Sequence, residues 1–134
     1  MNKFVIGLAA VLFSTSAMAN YDVIISKRHQ VMSVYQDGEL IEQWPVSTAR
    51  KGYYTPAGTF HPYSYQPMHY SKKYDNAPMP HSIFFSGGYA IHATPHVGNL
   101  GRPASHGCVR LHPVHANTLY NMTKGEYTTI TIKD

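Results

Sequence analysis

The chain carries a single cysteine, Cys108, in the run Ser105-His106-Gly107-Cys108-Val109-Arg110. A thiol that attacks a carbonyl needs a base to take its proton, a group to orient that base, and donors for the oxyanion that forms. His106 stands two residues before Cys108, and His92 closes the upstream run Tyr89-Ala90-Ile91-His92. Gly107 lets the backbone approach a substrate closely and take an unusual conformation. The amides of Gly107 and Cys108 are therefore candidate oxyanion donors. Cys108 also shortly precedes a predicted helix, and a nearby helix N-terminus lowers a thiol pKa. The residues themselves leave His92 and His106 open as the base, because catalytic partners are neighbours in space rather than in sequence. The alternative for Cys108 is an inert buried thiol acting as a small hydrophobe.

The N-terminus bears on that choice. Lys3 supplies a positive charge, Phe4 to Phe13 are apolar, and Ala17-Met18-Ala19 has the small-x-small form of a cleavage site. This order predicts a secretory signal peptide over residues 1–19 and one domain over residues 20–134. The apolar run is too short to span a bilayer, and no second one follows, so no stable membrane insertion is expected after cleavage. Export without a lipid-bearing cysteine points to the periplasm, with secretion as the alternative. Disulfides form in such compartments, and a free thiol retained there is easier to understand if it reacts. The formal charge of +4 comes from 11 Lys and Arg against 7 Asp and Glu. The basic residues occur singly or in pairs (Lys27-Arg28, Arg50-Lys51, Lys72-Lys73), without the dense stripe of a nucleic-acid binder.

The elements that position these residues read as strands, then one helix, then a strand. Tyr21 to Ser26 and Gln30 to Gln36 are short runs rich in β-branched and aromatic residues. Asp37-Gly38 joins the second to Glu39–Ser47 and has the composition of a two-residue type I′ turn. Gly58 to Tyr65, Ser82 to Phe85 and, after Gly87-Gly88, Tyr89 to His92 read as further strands. Gln66 to Pro80 shows no period and is rich in Pro, Tyr, Lys and Met. It reads as a loop acting as a flap over the site. Pro113 suits a first helical position and Gly125 a stop, with Val114, Thr118, Leu119 and Met122 as the packed face. Tyr127 to Ile132 alternates as a final strand. The fold class is mainly β with one packed helix, not βαβ units.

The order Ile91-His92, Leu100-Gly101-Arg102-Pro103-Ala104, then Ser105-His106-Gly107-Cys108-Val109-Arg110 resembles the signature of the L,D-transpeptidase family with its YkuD-type catalytic domain. Val46-Ser47-Thr48 and Thr55-Pro56-Ala57-Gly58-Thr59-Phe60 are similar to that family's stretch before the site. Ala116, Leu119-Tyr120 and Gly125 match its closing helix and turn. The resemblance covers nearly all of residues 20–134 and implies a β-sandwich-like domain. It implies Cys108 as nucleophile, His92 as base with the Ala93 carbonyl orienting its imidazole, and His106 in support. Gly107 and Cys108 would donate to the oxyanion. Arg110 matches a position tied to loop geometry or to the acidic stem peptide; Ser105, and Tyr89 from its place near His92, join it as substrate-binding candidates. Ala93 replaces a common glycine and keeps the carbonyl, whereas Thr94-Pro95-His96 departs from the usual Thr-Asn and leaves the acceptor side of the cleft open.

The implied reaction is acyl transfer on peptidoglycan stem peptides. Cys108 would attack the carbonyl of the third residue of a tetrapeptide, expel the terminal D-alanine, and pass the acyl group to an amine. That amine would belong to a second stem (a 3→3 crosslink) or to a wall-attached protein. Water as acceptor would give an L,D-carboxypeptidase or endopeptidase. No metal or organic cofactor is implied. Two other classes stand beside this one: a zinc site of His92, His106 and Cys108, and a non-catalytic peptidoglycan-binding module. The remaining histidines, His29, His61, His69, His81, His112 and His115, read as surface or loop residues.

Overall fold

The computed structural model describes residues 19–134; apart from Ala19, the expected export segment falls outside the described residues. Among the described residues, nine strands and one helix follow in order: β1 (Asn20–Ser26), β2 (Val31–Gln36), β3 (Glu39–Pro45), β4 (Gly58–Phe60), β5 (Ser64–Ser71), β6 (Ala77–Ser86), β7 (Tyr89–Ala93), β8 (Val109–Leu111), α1 (Pro113–Thr123) and β9 (Tyr127–Lys133). A single 3₁₀ turn, Val97–Asn99, lies between β7 and β8. One sheet has the order β3-β2-β1-β9-β4 and the other β5-β6-β7-β8. Both are mixed, because β1 runs parallel to β9 and β7 parallel to β8.

Alternation along the strands explains the core. Val23 and Ile25 of β1, Met32 and Val34 of β2, and Ile130 and Ile132 of β9 are two apart in each strand, and all are buried. Residues two apart share a sheet face, so these six give the first sheet one apolar side. Ile83 and Phe85 of β6, Ile91 and Ala93 of β7, and Val109 and Leu111 of β8 do the same for the second. All join one cluster with Ala116, Leu119 and Tyr120 of α1. Burial of each Ile, Val or Leu stabilises by about 1.5–3 kcal/mol against leaving it exposed. The second sheet is also furnished on its other side, where Met79, Phe84 and Ala90 form a small separate cluster against Cys108. That second side carries the site.

The Asp37-Gly38 turn has both residues at positive φ, 49° and 84°, as a type I′ turn requires. Other expectations are corrected. Gly58 to Tyr65 is two strands in different sheets: β4 pairs with β9, β5 pairs with β6, and His61-Pro62-Tyr63 makes the crossing. The stretch Gln66 to Pro80 is not a loop but most of the β5–β6 hairpin, turning at residues 72–76. Pro67, Pro78 and Pro80 hid it, since proline lacks the N–H of a ladder and argues against a strand; Pro67 lies on the edge strand β5, and Pro78 and Pro80 lie in the part of β6 beyond its pairing with β7, where a proline is tolerated. The strand from Glu39 ends at Pro45, and Ser47 instead bridges to Arg110. On α1 the buried face is Ala116, Leu119, Tyr120 and Thr123, whereas Val114 is 63% exposed.

Candidate active site

β7 and β8 are parallel neighbours with His92 opposite Arg110. Ile91, Val109 and Leu111 point to the core, so the alternate residues His92 and Arg110 face the other way, and Cys108, just ahead of β8, completes that row. Together with Tyr89, Gly107 and His106 they line a cleft of about 490 Å3. The β5–β6 hairpin forms its far wall through His69, Lys72, Lys73 and Tyr74. The sequence-expected residues Cys108, His92, His106, Gly107, Ala93, Arg110, Tyr89 and Ser105 are thus all brought to one place.

His92 is 8% exposed, and its Nδ1 lies 2.7 Å from the Ala93 carbonyl oxygen. A carbonyl only accepts, so Nδ1 carries the ring proton and Nε2 keeps its lone pair. Burial pushes the imidazole down to about 4; the bond to Ala93 opposes this, while the Arg110 charge adds to it. Burial pushes the Cys108 thiol above its ordinary value, partly offset by a hydrogen bond from the Ala90 backbone and by Arg110. The resting pair at neutral pH is therefore a thiol and a neutral imidazole, not a thiolate and an imidazolium. The thiol lies 3.9 Å from the Gly88 carbonyl oxygen. β8 stands between Cys108 and α1 in the chain.

Gly107 has φ +143°, and a Cβ there would lie 2.7 Å from Tyr89 Cε1 and 2.9 Å from the Tyr54 carbonyl oxygen. Only glycine fits. Its N–H donates to Ser105 Oγ at 3.0 Å, so one of the two amides expected at the oxyanion is engaged within the loop. Ser105 in turn is fully buried, and its hydroxyl donates to the Cys108 carbonyl at 2.6 Å. These two bonds hold the nucleophile loop. The Arg110 guanidinium reaches the Ala104 carbonyl at 3.4 Å, bracing the same loop.

His106 sits between two tyrosines, with ring centroids 4.2 Å from Tyr74 and 4.7 Å from Tyr53. Burial and the charges of Arg50, Arg110 and Lys73 hold its pKa below the usual histidine range. It links the nucleophile loop to the hairpin tip rather than meeting His92 and Cys108 at a metal. Among the described residues no group of three His, Cys, Asp or Glu side chains is placed to hold a metal ion. His69, passed over in sequence as a surface or loop residue, also lines the cleft, as does His96 of the Thr94-Pro95-His96 departure. Thr55 was missed. It is 2% exposed and donates to the Gly107 carbonyl at 2.7 Å, and its only signal in sequence is its place in Thr55-Pro56-Ala57-Gly58.

No curated protein matches the sequence. Among solved structures the chain is similar to an L,D-transpeptidase from Mycobacterium smegmatis, at 24% identity and a TM-score of 0.80, over 87% of this chain and 59% of that one. It is similar to an L,D-transpeptidase from Stackebrandtia nassauensis at 31% identity and a TM-score of 0.77, over 85% and 55%. L,D-transpeptidase 3 from Mycobacterium tuberculosis, in complex with a faropenem-derived adduct, matches at 19% identity and 0.74, over 87% and 61%. The chain thus spans less than two thirds of the length of each. The sequence model of YkuD, the L,D-transpeptidase catalytic domain, matches residues 20–132, and the chain belongs to that family.

Proposed function

We propose that the chain is a peptidoglycan L,D-transpeptidase in which Cys108 is the nucleophile and His92 the general base. One observation carries this reading: the Nδ1–H of His92 is committed to Ala93, leaving an unprotonated Nε2 with its lone pair in the same cleft as the chain's only cysteine. Nε2 takes the thiol proton as Sγ bonds to the carbonyl carbon of the third stem residue. Collapse of the tetrahedral adduct breaks the amide bond, and the same proton leaves with the D-alanine amine. An incoming amine then reverses these steps on the thioester, with His92 taking its proton. The cleft lining contains Lys72, Lys73 and Arg110 and, among the described residues, no carboxylate, which supports an anionic stem peptide as donor. The export grammar of residues 1–19 supports action in the periplasm.

The test is incubation with purified tetrapeptide-bearing muropeptides, with and without an added amine, read by mass spectrometry. The expected products are D-alanine release and an amine-linked tripeptide, both abolished in Cys108→Ala. Unchanged turnover in that variant overturns the nucleophile, and release of free tripeptide alone despite added amine makes the chain a hydrolase.

A further inference from the structure

We propose that Thr55 is a positioning residue which orients the Cys108 amide as the oxyanion donor by holding the carbonyl at the opposite edge of the same peptide plane. This rests on Cys108 being the nucleophile.

The Thr55 hydroxyl accepts from the Ala49 N–H at 2.9 Å and lies 2.7 Å from the Gly107 carbonyl oxygen. A hydroxyl has one proton, and both Ala49 N–H and a carbonyl fix where it goes: to Gly107. No peptide bond among the described residues is cis. In a planar trans peptide the C=O of one residue and the N–H of the next point in opposite directions. With the Gly107 carbonyl drawn to the buried Thr55, the Cys108 N–H is turned away from Thr55. Gly107 and Cys108 line the cleft and Thr55 does not, so that direction is the cleft side.

The surrounding bonds leave this amide as the one available. The Gly107 N–H goes to Ser105 Oγ and the Cys108 carbonyl takes the Ser105 hydroxyl. None of the turn, loop and side-chain hydrogen bonds of the described residues uses the Cys108 N–H. Glycine's freedom makes the pin necessary. At φ +143° Gly107 has no Cβ to restrict rotation of the following peptide plane, and an oxyanion donor works only when it is preorganised.

The test compares two reactions of the same thiol. Acylation by a penem or carbapenem forms an Sγ–C bond at the lactam carbonyl; the electron pair passes to oxygen and returns as the C–N bond breaks, the ring nitrogen taking the thiol's proton. Alkylation by iodoacetamide forms an Sγ–C bond at a saturated carbon, expels iodide and makes no oxyanion. Thr55→Val should slow acylation by about 10–100-fold, a part of what losing an oxyanion donor costs, and leave alkylation within about twofold. Thr55→Ser, which keeps the hydroxyl, should acylate within about threefold of the wild type. Thr55→Ala is carried alongside with the same expectation as Thr55→Val, in case the added methyl disturbs folding. Equal loss in both reactions, or normal acylation by a folded variant without the hydroxyl, overturns the assignment of Thr55. An adduct that persists in Cys108→Ala overturns the nucleophile itself, a different result in a different variant.

Discussion

At the residue scale the site depends on two settled conformations. Gly107 admits no side chain: one of the two atoms a Cβ would strike is the Tyr54 backbone oxygen, which cannot swing aside as the Tyr89 ring can. Gly107→Ala should lower β-lactam acylation by more than about 100-fold and cost roughly 2–4 kcal/mol in denaturant unfolding, from overpacking and strain at positive φ. Removing the Tyr89 ring in a double variant should not restore it. The thiol and imidazole make a second prediction. With burial raising the Cys108 pKa and lowering that of His92 to about 4, the rate of iodoacetamide alkylation should climb through neutral pH without a plateau. A flat rate between about pH 5 and 8 would mean a preformed ion pair. Cys108, His92 and His106 were legible in sequence as candidates because a thiol nucleophile and its base demand those types. The tasks of Ser105 and Thr55 were not, since a hydroxyl serving two backbone groups reads like any other Ser or Thr.

At the element scale, the β5–β6 hairpin and α1 do separate work. The hairpin tip reaches the nucleophile loop through Tyr74 stacked on His106. An aromatic pair of this kind contributes about 0.5–1.5 kcal/mol, so Tyr74→Ala should raise the donor KM about 2–10-fold and leave kcat within about twofold. An equal fall in kcat would place the hairpin in the chemistry rather than in binding. α1 supplies packing. Leu119 is fully buried and Val114 is 63% exposed, so Leu119→Ala should cost about 2–5 kcal/mol and Val114→Ala less than about 0.5. Chemical denaturation of the two variants checks which positions of the expected face pack: Leu119 does and Val114 does not. The helix itself was readable from Pro113 and Gly125, which mark ends by local chemistry. Its buried face was readable in part: Leu119 is buried and Met122 packs against the core, but Val114 and Thr118 are exposed, because the spacing does not say which side the sheet covers. The hairpin was unreadable for a related reason: prolines on both of its strands break the local pattern while the pairing of the two strands still holds the register.

For the whole molecule, burial of histidines sets the response to acid. His92, His106 and His115 all have pKa values held below the ordinary histidine range, with desolvation the leading cause in each. Between pH 6.5 and about 4 the unfolded chain binds a proton at position 92 that the folded chain refuses, so stability falls as pH drops through that window and levels off below it. From His92 alone the loss is about 3 kcal/mol. Thermal unfolding from pH 7 to pH 4 should show this decline, and His92→Gln should flatten part of it; an unchanged slope would mean that His92 is not buried neutral. The sequence by itself determined the mainly β class, the family and the type I′ turn, and it named the candidate side chains, because each is written in local composition or fixed spacing. Only the tertiary structure gives His92 and His106 their different surroundings. It seats His92 beside Arg110 across a parallel strand pair with its Nδ1 spent on Ala93, and slots His106 between tyrosines from two other segments. Those neighbours are brought together by sheet pairing over long stretches of chain, and spacing along the sequence carries no trace of it.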